Sequence, residues 1–154
     1  MRHRKQRVHD NCPRCNAPQE HLVHILTCPH PDVRTITSDL LVELEVWLTQ
    51  EETYPSLTPI LVASIRSWLL DPYGDEPAFL WPLPLIREAI IAQQQLGWYA
   101  FLMGFIANPI VSLQNSYYIM IDSKKKGTTW ATRLIIKCWN LIIPPLDTPQ
   151  LSIT

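Results

Sequence analysis

All five histidines (His3, His9, His21, His24, His30) and three of the four cysteines (Cys12, Cys15, Cys28) fall within the first 30 residues of a 154-residue chain. Nearly all the side chains that favour transition metals are therefore crowded at one end, and that end can fold only around what they hold. Cys12-Pro13-Arg14-Cys15 is a CxxC; eight residues separate it from His24, and three more lead to Cys28. An even cysteine count admits two disulfides, but a CxxC followed closely by His and Cys is the spacing of a metal site in a reducing compartment. Zinc takes four tetrahedral sulfur and nitrogen ligands. A CxxC turn delivers two thiolates, and Asn16 after it tolerates the left-handed backbone such turns use. His24 and Cys28 stand i, i+4, which on a helix places their Cβ atoms about 5–6 Å apart on one face. Leu22, Val23, Ile25 and Leu26 would give that helix a small apolar support.

Two other histidines compete for the fourth position. His21 shares the face of Cys28 but lies about 10 Å along a regular helix from it, and His30 reaches only if the helix ends at Cys28. The expected set is Cys12, Cys15, His24 and Cys28, against the plainer reading of buried cysteines and an unrelated histidine. Three thiolates and an imidazole over-compensate a divalent ion by one charge, which Arg14 is placed to offset. A closed four-ligand site is structural rather than catalytic.

The apolar content of 47% excludes a disordered chain, which lacks the surface needed to offset ordering entropy. The net charge of −1 hides a strong asymmetry. Residues 1–31 carry five basic and two acidic side chains, residues 32–122 three basic and eleven acidic, and residues 123–154 five basic and one acidic. An acidic body thus lies between two basic ends.

Along the chain, residues 1–11 read as a basic flexible arm, 12–31 as the metal module, 32–143 as a helical domain and 144–154 as a loose tail. Ile36, Leu40, Leu44 and Trp47-Leu48 recur at helical spacing, with Asp32 or Ser38 as cap and Tyr54-Pro55 as terminator. A second helix is expected from Thr58 to Leu70, with Pro59 in an allowed first-turn position. Asp71 to Pro77 is turn-rich, and Trp81-Pro82-Leu83-Pro84-Leu85 reads as extended. A third helix is expected from Leu85 to Phe105, with Gly97 and Gly104 on one side for a close helix contact. A fourth restarts at Asn108-Pro109 and runs to Ile121. A fifth runs from Thr128 until Pro144-Pro145 stops it at Ile143. The fold class is all-α, a bundle of about five helices preceded by a small zinc-knuckle-like module.

No charged residue occurs from Ala89 to Ile121. Gln93, Gln94 and Gln95 at one end, Asn108-Pro109 within, and Gln114-Asn115 beyond make a bilayer span expensive, so broken buried helices fit better. The basic N-terminus is followed by no apolar stretch of the secretory kind. These features point to an intracellular protein of nucleus or cytoplasm.

Two basic clusters are candidate nucleic-acid contacts. Arg2, Arg4, Lys5 and Arg7 join Arg14 beside the metal module. Lys124, Lys125 and Lys126 precede a helix on which Arg133 and Lys137 share a face, and Trp130, three residues before Arg133, is placed to stack on a base. The plainer readings are a solubilising tail and a solvated loop with an ordinary amphipathic helix. Most of the six tryptophans fall on apolar stripes, Cys138 reads as a core thiol, and Glu43, Glu45, Glu51 and Glu52 read as an exposed helix face. Nothing resembles HExxH, GxSxG, a phosphate-binding glycine loop or the paired aspartates of polymerases, so no catalytic residue is expected and no small-molecule substrate is implied.

Cys12-x2-Cys15, the acidic Glu20, His24 and Cys28 resemble the zinc-binding segment that follows the polymerase region in non-LTR retrotransposon reverse transcriptases. Trp81-Pro-Leu-Pro-Leu, Gln95-Leu-Gly-Trp98 and Trp130-Ala-Thr-Arg-Leu134 are similar to the tails of retroelement reading frames of some unicellular eukaryotes. The resemblance implies a chain derived from the C-terminal part of such a protein, without its polymerase. It also implies a final helix that continues, whereas Pro144-Pro145 reads as a stop, as in a truncated copy. The expected function is a non-catalytic structural-zinc module associating with RNA or DNA, with a reverse transcriptase polymerase region as a further partner. The rival is a zinc-stapled helical protein-interaction domain.

Overall fold

The computed structural model describes residues 12, 15–16, 22–77, 79, 81 and 83–151, with side chains except at 22 and 143–151. Seven helices and no strand occur among them: α1 (Leu22–Thr27), α2 (Pro31–Gln50), α3 (Leu57–Leu70), α4 (Pro84–Leu96), α5 (Trp98–Leu102), α6 (Asn108–Met120) and α7 (Gly127–Leu151). Helix α2 packs on α3, α6 packs on both α4 and α7, and α2 and α5 both reach α7.

Helix α2 buries Val33, Thr37, Leu41, Leu44 and Leu48, steps of three or four residues that keep one stripe inward. Its cap is neither Asp32 nor Ser38. His30 fills the position, its Nδ1 accepting the Asp32 N–H at 3.1 Å, and Pro31 begins the helix. Proline is suited to the first helical position because its missing N–H has no partner there anyway. Helix α3 buries both of its faces, including Leu57, Leu61 and Ile65, because α1, α2 and α5 lie around it.

The expected long third helix is two helices. Gly97 adopts φ 96° and Gly104 φ 102°, a region that side chains with a Cβ rarely occupy. Gly97 therefore breaks the helix between α4 and α5, and Gly104 closes α5. The expected close helix contact holds for Gly104 alone, where a Cβ would stand 3.3 Å from Ile135 Cγ2 of α7, while nothing lies within 4 Å of Gly97. A closer approach occurs at Gly127, where a Cβ would stand 2.5 Å from the Val111 carbonyl oxygen of α6. The Gly127 N–H donates to Asn115 Oδ1 at 2.8 Å, so α7 starts flush against α6.

Buried glutamines close these breaks. Gln93 is fully buried. Its Oε1 accepts the Ala107 N–H at 2.7 Å, and its Nε2 donates to the carbonyls of Gly97 and Phe105. Gln114 is equally buried; it accepts the Tyr54 N–H at 2.8 Å and donates to the Glu52 carbonyl at 3.0 Å. A buried amide costs about 1–3 kcal/mol if left unpaired, so these residues fix the connections they span.

Helix α7 continues to Leu151, past the expected end at Ile143. The prolines lack the N–H groups that would bond the carbonyls one turn back, but their fixed φ is helical, and the backbone keeps that course. The expected helix end at Ile143 is thereby corrected to Leu151. Residues 1–11 and 152–154 lie outside the described residues. Among the described residues no helix is long and apolar enough to cross a membrane.

Candidate metal centre

Cys12, Cys15, His24 and Cys28 form one cluster, with their ligand atoms all within 4.8 Å of one another. No disulfide joins the cysteines. The Asn16 N–H donates to the Cys12 carbonyl at 2.8 Å, closing the CxxC turn, and Asn16 takes φ 61° as the turn requires. Helix α1 presents His24 and ends at Thr27, so Cys28 follows its last turn. A tetrahedral ion with metal–sulfur bonds of about 2.3 Å places two thiolates about 3.8 Å apart, and Cys12 Sγ and Cys28 Sγ stand 3.8 Å apart. Cys15 Sγ and His24 Nε2 are closer, at 3.2 Å. The four donors thus have the geometry to hold one metal ion. His30 is turned to its capping role beside Asp32, and His21 lies outside the described residues.

The cluster is sheltered. Cys12, Cys28 and Val33 of α2 are buried together, with Cys15 packed against them. Without an ion, burial pushes the Cys28 thiol up to about 11, against the pull of the His30 backbone hydrogen bond, while Cys15 and Cys12 add to the rise. A metal ion reverses that balance, because it binds the thiolate and releases the proton. Leu26, between His24 and Cys28 in sequence, belongs to the main hydrophobic core and is only 5% exposed. The module is therefore keyed into the bundle in two directions: Val33 enters the cluster, and Leu26 enters the core.

No family model, curated protein or solved structure matches the chain.

The second candidate region is a cleft at the start of α7, lined by Glu51, Tyr118, Lys124, Lys125, Lys126, Thr129, Trp130 and Arg133. The three lysines are exposed. Trp130 is not available for stacking: it is 2% exposed, and its Nε1 donates to Thr53 Oγ1 at 2.9 Å. An indole at this position serves the core, since the register that puts Arg133 outward turns Trp130 and Leu134 inward. Lys137, one turn beyond Arg133, is half-buried and does not line the cleft. Arg2, Arg4, Lys5, Arg7 and Arg14 lie outside the described residues.

Glu51 departs most from its expected role as part of an exposed acidic face. Its side chain is 12% exposed and is flanked by Arg133 Nη2 and by Lys125 Nζ at 3.8 Å, while Lys125 also meets Glu52 Oε1 at 3.2 Å. The Tyr118 hydroxyl donates to the Glu51 carbonyl at 2.6 Å. Burial raises the Tyr118 pKa, keeping that donor protonated. Residues 51–54 are thus clamped by Gln114 and Tyr118 of α6 and Trp130 of α7. Local sequence carries no signal for these pairings, which join residues 60 to 77 positions apart.

Proposed function

We propose that this chain is a non-catalytic module in which a single zinc ion, held by Cys12, Cys15, His24 and Cys28, staples a helical domain that associates with RNA or DNA through phosphate contacts. The observation that carries the zinc reading is the convergence of three sulfurs and one imidazole nitrogen within 4.8 Å. Thiolate-rich tetrahedral sets suit zinc, which has no preference for other geometries. With four protein donors the ion has no open position for a reactant, so its contribution is folding free energy. Three reduced ligand cysteines fit the reducing interior of a cell, nucleus or cytoplasm.

The nucleic-acid part rests on the cleft where Lys124, Lys125, Lys126 and Arg133 meet, with Arg2, Arg4, Lys5, Arg7 and Arg14 as a second basic cluster in the sequence. Lysine and arginine on phosphate release condensed counterions, which gives affinity without base readout. Burial of Trp130 fits contact with the backbone rather than stacking. Derivation from the C-terminal part of a retroelement reverse transcriptase protein, and docking on its polymerase region, rest on the motif resemblance.

The rival reading, a zinc-stapled protein-interaction domain, is favoured by one observation: Lys125 and Arg133 already meet carboxylates of the same chain. Salt separates the two. Binding of a labelled single-stranded oligonucleotide that weakens steeply with salt, and again on Lys124→Ala/Lys126→Ala, supports the first. Absence of binding at low salt supports the second.

A further inference from the structure

The cleft at the start of α7 carries more cationic groups than its internal carboxylates neutralise. Arg133 and Lys125 are paired with Glu51, and Lys125 with Glu52. Lys124 and Lys126 form no ion pair among the described residues, and both are exposed on the rim. A carboxylate flanked by one guanidinium nitrogen of Arg133 and by a lysine occupies a place that a phosphate oxygen could take, because a guanidinium pairs with either anion. The backbone of Glu51 cannot move out of the way. Its carbonyl is held by Tyr118, and the following residues are held by Gln114. Its side chain is the movable part, since only its carboxylate is tied to the two cations.

We infer that a phosphodiester of a nucleic-acid strand seats in this cleft at the position now filled by the Glu51 carboxylate, so that Glu51 is a built-in competitor of the ligand. This rests on the nucleic-acid reading above and adds its regulation. The strand gains Lys124 and Lys126, which Glu51 leaves unused, and must displace the carboxylate from Arg133 and Lys125. The balance sets a weak, salt-sensitive affinity in the intact protein. Removing the negative charge of Glu51 frees Arg133 and leaves Lys125 with Glu52 alone, while keeping the side chain's shape. The thread of contact is phosphate alone, so single-stranded RNA and DNA of mixed sequence should bind with similar affinity.

The experiment is fluorescence anisotropy of labelled single-stranded RNA and DNA with the full-length zinc-loaded protein, repeated over a salt series. Glu51→Gln is expected to bind about fivefold tighter or more, the worth of a charge-assisted hydrogen bond no longer contested. In a Lys124→Ala/Lys126→Ala background the logarithmic salt slope should fall by about 1.4, two single-strand phosphate contacts. Thr129→Glu, at an exposed position of the first turn where an acid suits the helix, should weaken binding about fivefold, the converse of removing Glu51. It provides a test that does not disturb the Glu51 clamp should Glu51→Gln fold poorly. Wild-type binding that is unchanged or weakened by Glu51→Gln overturns the competitor role and leaves the nucleic-acid reading standing, whatever Thr129→Glu does. Failure of the wild type and of Glu51→Gln alike to bind either strand at low salt overturns both.

Discussion

Cys12 Sγ and Cys28 Sγ stand 3.8 Å apart across sixteen residues of sequence, the separation of two thiolates on one tetrahedral ion. Metal analysis of purified protein should therefore give one zinc per chain. Cys15→Ser should lose it, because three ligands leave the ion open to water and chelators. A ratio near zero in the wild type would sink the site.

Leu26 joins the Cys/His module to the main core of the bundle, so loss of its side chain is expected to weaken both. Leu26→Ala should cost about 2–5 kcal/mol, the range for a buried leucine left as a cavity. Because Leu26 lies between two ligands, zinc should also dissociate faster under a chelator. A variant that melts earlier with unchanged zinc retention would show that module and bundle fold separately.

The clamp on residues 51–54 predicts a second weak point. Gln114→Leu removes the acceptor of the Tyr54 N–H and the donor to the Glu52 carbonyl. Loss of about 1–3 kcal/mol is expected, two part-buried backbone groups left unpaired, and urea denaturation measures it. A loss under half of that would mean that water takes over both partners.

Cys138 gives a pH signature. Burial raises its thiol from 9.0 to about 12. A raised folded-state value means that the stabilising contribution is complete below pH 9.0 and is lost as pH rises towards 12. The wild type should therefore lose more stability between pH 8 and 11 than Cys138→Ala does. Equal losses would exclude the thiol as the cause. In the native protein, Cys138 should also resist alkylation at neutral pH.

Asp122 ends α6 with φ 57°, its N–H and that of Ser123 donating to the carbonyls of Ile119 and Tyr118. Left-handed backbone costs a residue with a Cβ about 1–2 kcal/mol relative to glycine. Asp122→Gly should raise the melting temperature, as differential scanning calorimetry will report.

The sequence disclosed what is local and periodic. Ile36, Leu40, Leu44 and Trp47-Leu48 announced α2 by their spacing, although the buried stripe runs through Leu41, Leu44 and Leu48; Asn108-Pro109 marked the start of α6, and Cys12, Cys15, His24 and Cys28 suggested a metal site by type and interval. It misled where one residue type serves two ends. Gly97 and Gly104 fit a helix face as well as they fit a break, and only their positive φ decides. Trp130 sits among basic residues in sequence, yet helical register turns it inward to Thr53. Glu51 belonged to a run of acids whose burial depends on Arg133 and Lys125, more than 70 residues away. No window on the chain contains such a pair.

The connections around the uncharged middle of the chain are closed by Gln93 and Gln114, side chains that donate and accept without carrying charge. Ionic strength and ordinary pH changes leave such bonds untouched, since neither screening nor titration acts on an amide. A salt titration of the folded protein is in consequence a selective probe. At modest ionic strength it acts on the ion pairs around Glu51 and not on the amide bonds of Gln93 and Gln114.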